Sequence, residues 1–98
     1  MLVNIIHFPP VKDRKDDEFR EWFAWSNEQY EDHEGFISWR ILKLREDANY
    51  VGIVKHESYE TFMAMHESST QTEARKRIDP LLEGDPEPQF YEVIVGQP

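Results

Sequence analysis

Three of the four strand-like runs in this sequence carry apolar side chains at both odd and even positions. In the run Leu2–Phe8, Val3 and Ile5 fall on one side, while Leu2, Ile6 and Phe8 fall on the other. In Phe36–Leu44, Ile37, Trp39 and Ile41 oppose Phe36, Leu42 and Leu44. In Gln89–Val95, Tyr91, Val93 and Val95 oppose Phe90 and Ile94. Successive side chains of a strand point to opposite faces, so both faces of such a sheet need cover. The helices of this chain can cover one face only. Leaving roughly five or six of these side chains in water forgoes about 1.5–3 kcal/mol each. That rivals the ~5–15 kcal/mol that holds a whole domain together. The pattern predicts a homodimer packed through the sheet face.

The elements alternate in a recognisable order. Leu2–Phe8 reads as a strand stopped by Pro9-Pro10, since proline cannot donate to a ladder. A helix follows, capped by Asp16 or Asp17, with Phe19, Trp22, Phe23, Ser26 and Tyr30 on one face and Gly35 at its end. Phe36–Leu44 and Tyr50–His56 are the second and third strands, joined by the polar turn Glu46–Asn49. Ser58 caps a second helix whose stripe is Tyr59, Phe62, Met63 and His66. Ser68–Glu73 contains two capping-box spacings, so the helix is expected to break and restart there, ending near Asp79-Pro80. Gly84–Pro88 reads as loop and Gln89–Val95 as the fourth strand. The order βαββαβ predicts one α+β domain over residues 1–98, a ferredoxin-like fold with a four-stranded antiparallel sheet and its helices on one face.

Composition excludes several classes of function. Twenty acidic residues against 11 basic ones give a formal net charge of −9. A nucleic-acid or anionic-membrane partner would need a basic stripe instead. With no cysteine, disulfides and thiolate chemistry are out of reach. The four histidines show no metal-ligand spacing, so no metal site is expected. The opening MLVNIIHFPPVKD lacks a basic leader, and no segment approaches the ~20 apolar residues of a membrane span. A cytoplasmic protein is the expectation.

A few polar and aromatic residues stand out against this background. Asn4 interrupts an apolar strand. It is either an amide satisfied by backbone or a donor in a pocket. His66, on the second helix, is either a packing residue or a base able to deprotonate a phenol. His7 and His56 end the first and third strands; adjacent strands running the same way would bring them together. Trp22 belongs with the core stripe, whereas Trp25 lies off it and is the better candidate wall of a pocket. Arg40 and Arg75 are either solvated, ion-paired side chains or holders of an anionic group.

The stretches FREWFAW and GFISWRIL, followed by YVGIVKHESYETFMAMHESSTQTEAR, resemble the antibiotic biosynthesis monooxygenase family of dimeric α/β-barrel proteins. The likeness runs from Val3 to Val95 and implies the same fold and dimer. The family includes cofactor-free oxygenases of quinols and anthrones, haem-degrading enzymes, and members without a known substrate. In the haem-degrading branch an asparagine lies on the first strand, and a tryptophan and a histidine lie on the second helical region. Here Asn4 stands at the first position, Met65 at the second and Arg75 at the third. The missing histidine removes the iron ligand. A shifted alignment instead places His66 where some quinol-oxygenase-like members carry a histidine. The resemblance thus implies a monooxygenase without a cofactor, acting on a small aromatic ligand. Its catalytic residues would be Asn4 and His66, with Trp22, Trp25, Met65 and Arg75 binding substrate. The alternative is a dimeric ligand-binding or stress-response module without catalysis.

Overall fold

The computed structural model describes residues 1–97. Its elements follow the order β1 (Leu2–His7), α1 (Asp16–Tyr30), β2 (Phe36–Lys43), β3 (Tyr50–His56), α2 (Tyr59–His66), α3 (Ser69–Ile78), a 3-10 turn (Asp79–Leu81) and β4 (Glu87–Glu92). The four strands form one sheet in the order β2-β3-β1-β4, every neighbouring pair antiparallel. This is the expected α+β ferredoxin-like arrangement.

Residue parity assigns each face. Leu2, Asn4, Tyr50, Gly52, Val54 and His56 are all buried, beneath the helices. Against them α1 buries Phe19, Phe23, Ser26, Asn27 and Tyr30, while Glu18, Glu21 and Glu28 stay in water. Phe8 and Phe19 meet edge to face at 5.0 Å, and Tyr50 lies 4.9 Å from Phe19. Gly52 admits this packing because a side chain there would press on the rings of Phe23 and Phe8.

The helix ends show where local chemistry was read correctly and where it was not. Ser58 caps α2 in a box with Thr61, each side chain bonding the other's backbone. At α3 the N-cap Ser68 makes no capping bond; its hydroxyl turns back to the Met65 carbonyl at 2.5 Å. Helix α1 starts at Asp16, one residue before an aspartate cap would allow, with Asp16, Asp17 and Glu18 in the first turn where its dipole favours them. It ends at Tyr30, short of Gly35. Gly35 lies beyond the helix with a positive φ of 84°, and a Cβ there would sit 2.4 Å from Thr61 Oγ1.

Three strand readings need correction. Because β1 and β3 are antiparallel, Leu2 faces His56 while His7 faces Val51, so the two histidines lie at opposite ends of the pair. A bulge between Phe36 and Ser38 resets the parity of β2. Phe36 therefore joins Trp39 and Ile41 on the helix side. Strand β4 begins at Glu87 and includes Pro88, which is tolerated because β4 is an edge strand. Ile94 and Val95 consequently run past the strand, 86% and 92% exposed.

The opposite face of the sheet presents a different surface. Val3, Ile5, Val51 and Ile53 are half-buried by one another, with Ile5 directly opposite Ile53. Leu42 and Tyr91 on the same face are 44% and 48% exposed.

Candidate functional site

Between the helices and the sheet lies a cavity of about 150 Å³. Strand β1 contributes Asn4 and Ile6 to it, Phe8 follows just past the strand's end, and β3 contributes Val54. Helix α1 supplies Trp22, Phe23, Ser26, Asn27 and Tyr30 as one wall; Phe62, Met65 and Ala74 supply the facing one. The exposed lining residues His66, Arg75, Pro88 and Phe90 mark its rim. The volume matches that of an apolar protein cavity able to hold benzene, about 150 Å³.

Most polar groups on these walls already have partners. The Trp22 indole donates to the Ala74 carbonyl at 2.8 Å and so ties α1 to α3. Ser26 Oγ donates to the Phe23 carbonyl at 3.0 Å, and Asn27 Nδ2 donates to the same oxygen at 2.9 Å. The Tyr30 hydroxyl donates to Gln71 Oε1 at 2.6 Å. Burial pushes the Tyr30 phenol up to about 12, so it stays protonated and keeps donating. At the rim, Arg75 is held by Asp79 at 3.1 Å and by Asp85 at 2.7 Å.

Two lining atoms are not satisfied. Asn4 Oδ1 and Asn27 Oδ1 are buried, with no hydrogen-bond partner among the described residues. Each residue is only 3% exposed. A buried acceptor left without a partner costs about 1–3 kcal/mol, so these two amides are the least settled polar groups in the walls.

The sequence candidates divide accordingly. Asn4, Trp22, Met65, His66 and Arg75 all line the cavity. Trp25 does not. It packs on the Leu2–Tyr30–Phe62 cluster, and the Arg77 guanidinium covers its ring at 4.0 Å. His66 is exposed rather than part of a buried stripe; the residues α2 buries are Phe62 and Met65. The His66 ring stacks on Phe62 at 5.8 Å and stands at the cavity edge. Arg40 points with Ile53 to the far side of the sheet.

Asn27, Tyr30 and Gln71 escaped the sequence reading as site residues. Their signal was faint: Asn27 is a lone amide one turn beyond Phe23, and Gln71 looked like half of a capping box. The fully buried His56 lies outside the cavity, wedged edge-on between Phe36 and Phe62 at 5.4 and 5.5 Å. Burial and the nearby His33 push its pKa down, so it stays neutral. Among the described residues no three His, Asp or Glu side chains cluster closely enough to hold a metal ion. Nor is any described helix long and apolar enough to cross a membrane.

No family model and no curated protein matches the chain, whereas solved structures do. A candidate antibiotic biosynthesis monooxygenase from Nitrosomonas europaea superposes with a TM-score of 0.84 at 20% identity, covering 97% of this chain and 100% of that one. SnoaB, a cofactor-independent oxygenase from Streptomyces nogalater, superposes with a TM-score of 0.85 at 18% identity, covering 99% and 96%. Rv0793 from Mycobacterium tuberculosis gives 0.84 at 13% identity over 97% and 96%. The resemblance read from the sequence holds at the level of the fold.

Proposed function

We propose that the chain is a cofactor-independent monooxygenase of the antibiotic biosynthesis type, acting on a small electron-rich aromatic. The observation that carries this reading is the cavity itself. It has the volume of one aromatic ring, ring-lined walls, the unpartnered amide of Asn4 in its floor and His66 at its rim. A single-ring quinol suits it better than a tricyclic anthrone, which would extend past the rim.

In this chemistry the substrate supplies the electrons. His66 accepts the phenolic proton, and Asn4 turns its amide Nδ2 toward the resulting oxygen anion. The anion passes an electron to dioxygen and the two radicals combine. The peroxide formed on the ring carbon takes back the proton held by His66. It eliminates water as its O–O bond and the C–H bond of that carbon break, leaving a carbonyl there. Trp22, Phe23, Met65 and Phe62 orient the ring and exclude solvent. Arg75, already engaged by two aspartates, shapes the rim.

The test is oxygen uptake with a panel of small phenols and quinols, with the product identified by mass. His66→Ala and Asn4→Ala should each lower kcat by about 10²-fold or more. Uptake unchanged in both variants overturns the assignment of these two residues.

Two further parts belong to the proposal. The outer sheet face, with Val3, Ile5, Val51, Ile53, Leu42 and Tyr91, is covered by a second copy of the chain. Haem is not the ligand: about 150 Å³ is well below the ~300–1,000 Å³ of pockets for larger ligands, and Arg75 stands where the resemblance would want a histidine. A second reading, an aromatic-binding module without catalysis, is favoured by the His66 ring, which no hydrogen bond orients among the described residues. Ligand-induced thermal stabilisation without oxygen uptake would establish it.

A further inference from the structure

We infer that Gln71 is a ligand-binding residue whose side-chain Nε2 donates a hydrogen bond to an oxygen atom on a ring seated in the cavity, and that Tyr30 is the positioning residue that aims it. The site would therefore favour rings that carry an oxygen acceptor at the mouth over rings of equal shape that lack one. The inference rests on the proposed use of the cavity to bind a ring, not on the oxygen chemistry.

The amide is aimed by a contact between two helices. Tyr30 is buried at the end of α1, and Gln71 lies half-buried in the first turn of α3. The Tyr30 hydroxyl stands 2.6 Å from the Gln71 amide. That separation suits an O–H donor, for which about 2.5–3.0 Å is usual, and is too short for the ~2.7–3.2 Å of an N–H donor. The carbonyl end of the amide therefore takes the Tyr30 proton, and Nε2 points the other way. Burial of the phenol keeps that proton in place. Close by on α3, the Trp22 indole holds the Ala74 carbonyl at 2.8 Å, so the start of α3 is tied to α1 twice.

The free end of Gln71 is accessible. Nε2 has no hydrogen-bond partner among the described residues, yet unlike Asn4 Oδ1 and Asn27 Oδ1 it is not sealed within the protein. Gln71 lines both the inner cavity and an open groove outside it, a position it shares with His66 and Arg75. Of these three, Arg75 is already committed to Asp79 and Asp85, and His66 in its proposed role accepts a proton. Gln71 is the residue at this threshold with a donor to spare.

The consequence is a narrower substrate class. With Asn4 in the floor and Gln71 at the mouth, the cavity offers a donor at each end. A ring bearing oxygens on two well-separated carbons meets both, whereas a simple phenol meets one. Dihydroxylated rings are then preferred to monophenols.

The experiment compares benzaldehyde with styrene, in which a methylene replaces the carbonyl oxygen at nearly constant shape. Calorimetry gives Kd for both ligands on the full chain and on Gln71→Met, Gln71→Glu and Tyr30→Phe, at about pH 8, where a glutamate is ionised. The preference for benzaldehyde over styrene should be about fivefold or more greater in the wild type than in Gln71→Met, the order of one hydrogen bond. Gln71→Glu keeps an acceptor for Tyr30 but has no donor. It should lower the preference at least as far, and it decides the matter if Gln71→Met does not fold. Tyr30→Phe keeps the donor but not its aim, and should lose part of the preference; a packing role alone would weaken both ligands together and overturn the positioning role. An unchanged preference in the Gln71 variants overturns the inference, and so does failure of both ligands to bind at millimolar concentration. The two readings fail separately. A benzaldehyde preference that Gln71 controls, in a protein that consumes no oxygen, leaves Gln71 in place and removes the oxygenase; oxygen uptake with no such control does the reverse.

Discussion

The two faces of the sheet are built from alternate residues of the same strands, yet they reach different ends. On the helix side, Leu2, Val54 and His56 are all buried within one chain. On the other side, Ile5 and Ile53 sit opposite each other half-covered, and Leu42 and Tyr91 remain open. One face is finished by the chain's own helices, with a cavity left in it. The other is finished, in our reading, by a second subunit. The same apolar chemistry thus does two jobs, and substitutions on the two faces should fail in different ways.

The largest contrast should come from Ile53→Glu. A carboxylate in the middle of the proposed interface should convert dimer to monomer at micromolar concentration by sedimentation velocity, leaving the helical circular dichroism signal in place. A wild-type chain that already sediments as a monomer removes the outer-face account. On the inner face, Phe19→Ala should destabilise the fold itself by about 3–5 kcal/mol, read by urea unfolding. Phe19 is fully buried, with Phe8, Trp22 and Tyr50 around it.

His56 gives an intermediate effect with a definite sign. Its folded-state pKa lies below the ordinary histidine value, so the unfolded chain binds the proton more readily. Stability is then fully present above about pH 6.5 and falls as pH drops below it, by at most about 1.4 kcal/mol per pH unit. His56→Phe should flatten that slope in urea titrations between pH 7 and 5. The smallest effect belongs to the surface. Arg77→Gln removes the 2.9 Å pair with Glu73 and the stacking on Trp25, and should cost no more than about 1 kcal/mol in the same assay.

The fold was legible in the sequence because its signals are local and redundant. The βαββαβ order needs only the strand runs, the α1 stripe and the Ser58 cap. What could not be read was anything set by contact between distant segments. The β2 bulge depends on how Phe36 packs against His56, and the use of Pro88 inside β4 depends on which edge is free. Asn4 was visible because an amide inside an apolar strand is conspicuous. Asn27 was not, because an amide on a helix rich in glutamate looks like surface until the sheet buries it. Trp25 was misplaced for the complementary reason: a ring off the core stripe looked free, and only the fold brings Arg77 over it.

The most direct test follows the methyl and amide signals of the two faces while phenol is added. Met65 lines the cavity; Val3, Ile5 and Ile53 report on the outer face. The account predicts shifts in the Met65 methyl and in the Asn4 and Asn27 side-chain amides, with the outer-face methyls unmoved. Shifts confined to the outer face, with Met65 and both amides silent, would contradict it.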